Sequence, residues 1–330
     1  MSGKILTVSV AAYNVEQYIK QNLDSMTVPE LVDKLEIFVV DDGGKDGTLE
    51  IAKEYEAKYP GTVYAVHKEN GGYGSTVNYS IAHATGKYFK LLDGDDWFNT
   101  ANLIKFVELL ENGNEDLIIT DYFKGPEEGS MKTVNTGSVN HNVTKTENIH
   151  DIIGHWSIAY KTEILKASGL ELPEHQFYTD KIFSTIPMAL VKSVKAYALP
   201  VYSYRIGRDG QSVSRESRIK NVKNYLNICN IICDYCGKIN ASPEKNKYVF
   251  RRAVSDYRLG IKTALLCPNK KENLAMIKEY ENRNKQKNNK VFTAAGKTTS
   301  KTGKLICFMR KTKYLGYWGL ALIPKSKLDF

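Results

Sequence analysis

Apolar and polar positions alternate in blocks along the first hundred residues. Ile5-Leu6-Thr7-Val8-Ser9-Val10 is a β-rich run ending at Ala11-Ala12-Tyr13-Asn14, and Glu16 to Met26 then places Tyr18, Ile19 and Leu23 on one helical face. The block recurs. Leu35-Glu36-Ile37-Phe38-Val39-Val40 reads as a buried strand, Asp41 to Gly47 as a turn, and Thr48 to Tyr59 as a helix turning Leu49, Ile51, Ala52 and Tyr55 inward. A third strand, Thr62 to Val66, leads through Glu69-Asn70-Gly71-Gly72-Tyr73-Gly74 into a helix from Ser75 to Ala84. Such alternation predicts an α/β domain: a Rossmann-like, mostly parallel sheet with flanking helices. Ligands of these sheets sit outside the carboxyl ends of the strands, where Tyr13, Asp42, Gly72 and Asp95 all fall.

The fourth strand ends unusually. Tyr88-Phe89-Lys90-Leu91-Leu92 delivers Asp93, Asp95 and Asp96 to one sharp edge. Side chains two apart on extended chain point the same way, so Asp93 and Asp95 are expected to converge, and their repulsion is costly without a cation between them. Magnesium or manganese suits the pair, because such ions take one or two carboxylates and complete their shell with substrate phosphates. The alternative is a solvated acidic turn capping a helix that begins near Asn99.

Taken in order and spacing, five segments resemble the inverting GT-A glycosyltransferases of family two. They are Ser9 to Asn14, Val40-Asp41-Asp42-Gly43, Asp46-Gly47-Thr48, Asn70-Gly71-Gly72, and Ala84-Thr85-Gly86-Lys87-Tyr88 running into the acidic cluster. The resemblance covers roughly the first two thirds of the chain and rests on co-occurrence rather than on any one motif. It implies a GT-A fold and transfer of a sugar from a nucleotide diphosphate to an acceptor hydroxyl. Two departures stand out: Gly44 where a serine is usual, and Val77 where many relatives carry an arginine before the asparagine, here Asn78.

The resemblance also implies roles. Ala11 and Tyr13 would line the base and ribose pocket, Asp42 would accept from the ring NH of uracil, and Gly72 and Asn78 would face the donor. Asp93 would hold ribose hydroxyls or support the ion, and Asp95 would bind the metal bridging the phosphates. Inverting transfer is one displacement and needs a general base within reach of the acceptor hydroxyl. Relatives place a Glu-Asp pair at a helix mouth for this. Here Thr179 replaces the glutamate, so Asp180 carries the role alone, with a helix cap as its plainer reading and His175 as second choice. Gly154-His155-Trp156 suits a sugar face and its hydroxyls, although Trp156 equally suits a core. Arg205 and Arg208 lie in a segment similar to the one that folds over the donor diphosphate, and either could instead pair with a surface acid.

Charge divides the chain. Of 46 Lys and Arg and 37 Asp and Glu, residues 1–214 hold 20 and 29, and residues 215–330 hold 26 and 8, for balances of −9 and +18 that sum to the +9 of the whole. We therefore expect a GT-A catalytic domain over 1–214 and a helical, basic region over 215–330 that meets something anionic. Helical patterns appear near Val222 to Cys236 and Lys247 to Leu266, and the polar stretch Asn282 to Thr302 reads as a mobile linker. Residues 304–323 mix Lys and Arg with Trp, Tyr and Leu. Charges interrupt them too often for a spanning helix, and they suit an interfacial segment on an anionic membrane or a tail packed on the protein. No recognised nucleic-acid module accompanies the charge. Five cysteines, an odd number, argue against a disulfide framework, and the chain opens on strand residues without a signal sequence.

The reading is a cytoplasmic, peripheral, metal-dependent glycosyltransferase using a UDP-sugar, with Mn2+ or Mg2+, to extend a bacterial surface glycan or a polyprenyl-linked acceptor. The rivals are a sugar-phosphate nucleotidyltransferase, which would want a Gly-rich basic loop where Ala11-Ala12-Tyr13-Asn14 stands, and a non-catalytic glycan-binding scaffold of the same fold.

Overall fold

The computed structural model describes residues 3–137, 143–207, 211, 214–239, 243–268 and 270–320. The chain divides into two compact units, Met1–Asp209 and Gly210–Phe330.

Unit one begins as three strand–helix repeats: β1 (Leu6–Ala12), α1 (Glu16–Asp24), β2 (Leu35–Asp41), α2 (Thr48–Lys58), β3 (Val63–His67) and α3 (Tyr73–His83), closed by β4 (Tyr88–Asp93). β1 pairs in parallel with β2 on one side and β4 on the other, so Leu6 stands beside both Leu35 and Tyr88. Every residue of β2 is buried, as expected where helices cover both faces of a parallel sheet. Of its two buried acids, Glu36 is satisfied within the sheet: its carboxylate accepts from the Thr7 hydroxyl at 2.6 Å and from the Thr85 amide and hydroxyl at 2.8 and 2.7 Å. That bonding is what makes an ionised group tolerable in a core.

Beyond β4 the sheet turns mixed. β5 (Trp97–Phe98), α4 (Thr100–Asn112), β6 (Leu117–Gly125), β7 (Lys132–Val134), β8 (Ile158–Lys161), α5 (Thr162–Ala167), α6 (Asp180–Phe183) and β9 (Val194–Arg205) follow. The strand order is β3-β2-β1-β4-β8-β6-β9-β5, with β7 beside β6. β8 joins β4 antiparallel, and β6 pairs antiparallel with β8 and parallel with β9. The mostly parallel expectation therefore describes β1 to β4 and not the second half. Asn99 caps α4 by accepting from the Asn102 amide.

Unit two is helical: α7 (Arg215–Lys220), α8 (Val222–Lys238), α9 (Pro243–Leu266), α10 (Lys270–Lys287), α11 (Asn289–Ala295), α12 (Lys301–Lys311) and α13 (Tyr317–Leu320). The linker expected over 282–302 is overturned. Two of its asparagines are buried and bonded: Asn284 donates to Asn230 Oδ1 at 2.8 Å, and Asn288 donates to the Cys233 carbonyl while accepting from Val291 N at the start of α11. Buried charge in this unit is paired. Arg252 meets Asp256 at 2.8 Å with both side chains buried, and Glu281 accepts from Arg310 Nε and Nη2 at 2.6 and 2.9 Å and from the Tyr257 and Tyr314 hydroxyls. The cysteines are free.

Candidate active site

The carboxyl ends of β1, β2 and β4 and the start of α3 meet at one edge. Tyr13 ends the first strand 52% exposed, followed by Asn14 at φ 52°. Ala11 is half-buried, and its carbonyl accepts from Gly94 N at 3.0 Å, joining the β1 end to the acidic turn. Asp42 is 3% exposed and organises the next loop. Its Oδ1 accepts from Gly71 N, Lys68 Nζ and Ser75 Oγ at 2.9, 3.1 and 3.2 Å, and Oδ2 from Gly72 N at 2.7 Å. Those donors occupy most of a carboxylate's acceptor capacity. A base NH would have to share Oδ2 with Gly72.

Gly72 sits at φ +81°, and a Cβ there would lie 3.2 Å from His175 N, so glycine is required by conformation and by space. Behind it the loop before α6 is tethered. Asn78 donates to the Leu172 carbonyl and accepts from the Leu172 amide, both at 2.9 Å. One N–H and the carbonyl of the amide are thereby engaged in holding this loop. His175 and Tyr178 adopt φ 52° and 68°, a local cost that a packed loop sustains where it aims side chains.

The acidic turn is the electrostatic centre. Asp96 is buried, accepting from Tyr202 OH at 2.6 Å and Arg205 N at 2.7 Å. Burial, then Asp95 and Asp93 beside it, push its carboxyl well above the usual range. Asp93 ends β4 with Oδ1 buried and unpartnered, while Oδ2 lies 3.4 Å from His155 Nε2. The other imidazole nitrogen, Nδ1, lies 3.6 Å from Asp180 Oδ2. Burial opposes a charge on His155, but Asp93 and Asp180 outweigh it and raise the imidazole to about 10. The buried His155 ring therefore lies between the metal-motif acid and the base expected at the α6 start. His155 was expected to face a sugar, and the structure instead sets it between two carboxylates.

Lys90 holds that arrangement from below. Fully buried on β4, it donates to the Trp156 and Ile158 carbonyls at 2.8 and 3.2 Å, which fixes the 155–158 turn against the strand that carries Asp93. Trp156 is crowded by Tyr204, Tyr122 and His155, at 4.7, 5.4 and 4.8 Å between ring centres. Trp156 is half-buried among these rings.

Arg205 is likewise committed elsewhere. Its Nε donates to the Asp95 carbonyl at 2.9 Å and Nη2 to Gln21 Oε1 at 2.6 Å, with the guanidinium 4.6 and 5.0 Å from the Trp97 and Tyr18 ring centres. These contacts tie Arg205 to the backbone of the acidic turn. Arg208 lies outside the described residues.

Sequence reasoning missed Tyr73. Its hydroxyl is buried beside Asp93, and burial with Asp93 and Asp180 nearby raises it well above a phenol's usual range. Thr179, beside Asp180, has a buried unpartnered hydroxyl. The Gly72-Tyr73 junction, a glycine-rich loop opening a helix, was the available signal for the first. Among the described residues no group of three or more His, Cys, Asp or Glu is gathered to enclose a metal unaided. Asp93 and Asp95 nonetheless fit a magnesium-type ion, which leaves most positions to phosphate and water, and the unpartnered Asp93 oxygen in a crowd of like charge is the observation in favour.

Comparison with known proteins agrees with this architecture. The family described as Glycosyl transferase family 2 matches residues 7–167. The putative glycosyltransferase EpsH of Bacillus subtilis is 29% identical over 217 residues, spanning 62% of this chain and 62% of that protein. The poly(ribitol-phosphate) beta-glucosyltransferase of Bacillus spizizenii is 26% identical over 222 residues, 63% of this chain and 33% of the relative. This chain thus spans less than two thirds of either. The crystal structure of S. aureus TarS 1-349 in complex with UDP-GlcNAc superposes with a TM-score of 0.72 at 20% identity, covering 96% of this chain and 90% of that one. The fold is the GT-A arrangement, with further helices after it.

Proposed function

Because this chain carries a domain that belongs to glycosyl transferase family 2 over residues 7–167, we propose that it moves a hexose or N-acetylhexosamine from a UDP-sugar to a hydroxyl of a phosphate-rich bacterial surface glycan or its lipid-linked precursor. The observation that carries the reading is the line Asp93–His155–Asp180 at the carboxyl edge of the sheet. In a single displacement the acceptor oxygen attacks the anomeric carbon, its proton passes to the Asp180 carboxylate, and the bond to the diphosphate breaks with its electron pair leaving on UDP. His155, with Nδ1 3.6 Å from Asp180 Oδ2, positions that carboxylate. Asp93 and Asp95 would hold manganese or magnesium, which when bound offsets charge on the diphosphate. Ala11, Tyr13 and Gly72 border the space for the nucleoside. The UDP moiety and the phosphate-rich acceptor are supported by the ligand in the TarS crystals and by the name of the Bacillus spizizenii relative.

The same proposal places the protein at an anionic membrane surface. No described helix is long and apolar enough to cross a membrane. Phe308, Leu315 and Trp318 are exposed, and exposed Lys301, Lys304 and Lys311 share the α12 stripe of Phe308 at spacings of three and four residues.

A thermal-shift screen of nucleotide sugars with manganese tests the donor. One UDP-sugar at a hundred times its dissociation constant should stabilise by about 2.7 kcal/mol, and no response to any UDP-sugar overturns the reading. In Asp95→Ala, manganese should no longer tighten UDP in titration calorimetry while Tm stays close to the parent's. Equal tightening in both proteins removes Asp95 from the metal site.

A further inference from the structure

Unit two contains a trough that the donor chemistry does not use. A cavity of about 570 Å3 lies between α9 on one side and residues 294–302 on the other. A second, of about 340 Å3, shares Phe250, Ala294 and Lys297 with it and continues to Lys290 on α11. On the α9 wall Arg251, Ser255, Arg258 and Lys262 recur at intervals of four, three and four residues, the spacing of one helical face. At 1.5 Å per residue this row is about 16 Å long. Lys290 and Lys297 stand opposite, and among the described residues no acid lines either cavity.

The walls are held in place independently of any ligand. Arg258 Nε donates to the Ala295 carbonyl at 3.0 Å and Nη2 to those of Ala294 and Lys297 at 3.1 and 3.2 Å, pinning the α11 end to α9. A Cβ on Gly303 would lie 2.0 Å from the Lys297 carbonyl, so only glycine lets that wall close. Ser300 caps α12 by accepting from Gly303 N at 3.0 Å, which puts the positive end of an 11-residue helix at the trough with Thr299 and Thr302. Phe250, Val254 and Leu259 supply an apolar floor.

A single small anion would need one convergent cluster of donors. Here the cations are spread along two facing walls over an apolar floor, which matches a linear chain alternating phosphates with carbon-bearing units. We propose that the trough binds a linear, phosphate-repeating chain, seating successive phosphates on Arg251, Lys262, Lys290 and Lys297 while its carbons pack on the floor. This rests on the phosphate-rich acceptor proposed above and names where in unit two that acceptor is held.

The test titrates full-length protein with labelled linear polyphosphate and, in parallel, with phosphatidylglycerol vesicles. Lys290→Glu/Lys297→Glu, two exposed positions, should weaken polyphosphate binding about tenfold or more, as loss of phosphate-neutralising cations does elsewhere. Lys262→Gln/Lys297→Gln should weaken it in the same direction without charge reversal. Lys223→Glu/Lys271→Glu changes net charge identically but away from the trough, and should bind like the parent. Equal loss in trough and control pairs overturns the proposal, as does a trough pair that loses vesicles but keeps polyphosphate. UDP release from UDP-sugar is read in the same samples. If the parent releases none, the glycosyltransfer reading fails while the trough result stands; if the parent does and only the trough pairs lose polyphosphate, both hold.

Discussion

The two units handle buried charge in opposite ways. In unit two Glu281 accepts from Arg310, Tyr257 and Tyr314, and Arg252 closes on Asp256, so interior charges cancel and the surplus of cations is turned outward. In unit one Asp93, Asp95 and Asp96 crowd one turn, Asp96 is pushed up by burial and then by its acidic neighbours, and an oxygen of Asp93 is left buried and unpartnered. A closed network serves packing. An open one of like charge stores repulsion that a bound cation or ligand relieves, which is why the second kind marks a site.

The comparison breaks first at Asp180. Asp180→Asn should lower turnover about 10²- to 10⁴-fold, the usual worth of a positioned base, while UDP affinity by calorimetry stays near the parent's. Near-normal turnover would move the role elsewhere, with His175 next in line. On the other side, Glu281→Ala should destabilise by about 3–5 kcal/mol, because it strands the Arg310 charge in the interior. Denaturant unfolding reads this, and a loss no larger than for Asp95→Ala would erase the contrast between the units.

A smaller effect concerns the outer stripe of α12. Truncating the chain before this helix is not a clean test, since Ile306 and Met309 are fully buried and Arg310 holds Glu281. Phe308→Ser/Leu315→Ser/Trp318→Ser leaves that packing alone and should release the protein from anionic vesicles. The remaining lysines, worth about 1 kcal/mol each near such a surface, give a residual attraction that added salt removes. Unchanged sedimentation with vesicles at low salt would assign the stripe to solvent.

The smallest expected change lies in pH dependence. Burial lowers the Lys90 ammonium from 10.5 to about 7. Between those values the unfolded chain binds a proton that the folded chain does not, so this group makes stability rise as pH increases from about 7 towards 10. Lys90→Met should flatten that slope in Tm measured against pH. It should also lower stability by about 1–3 kcal/mol, through the carbonyls of Trp156 and Ile158 left unpaired. A slope unchanged in the variant places its origin outside Lys90.

Much of the fold was legible because it is local. Strand and helix periods placed β1 to β4 and α1 to α3 within a few residues, and the acid cluster announced the edge at which they end. Parallel pairing of short repeats leaves little freedom once each element has a covered face. The second half of the sheet was not legible, since whether β8 joins β4 parallel or antiparallel depends on partners far along the chain. Helices also formed over 282–295, where composition alone read as linker, because Asn284 and Asn288 bond across helices.

The candidate site divides along the same line. The sequence by itself determined which residue types reach the strand ends: Asp42 after β2, Gly72 before α3, and Asp93 and Asp95 after β4. Only the tertiary structure decided what each side chain spends its bonds on. Asn78 and Arg205 look alike in sequence whether they face a nucleotide or a backbone, and folding gave them Leu172 and Asp95. His155 and Asp180, 25 positions apart, meet, and His155 also reaches Asp93, because β8 runs beside β4 and a buried lysine fixes the turn before it. Hydrogen-bond capacity is finite and short in range, so a polar residue's role is settled by which donor or acceptor the fold brings within about 3 Å.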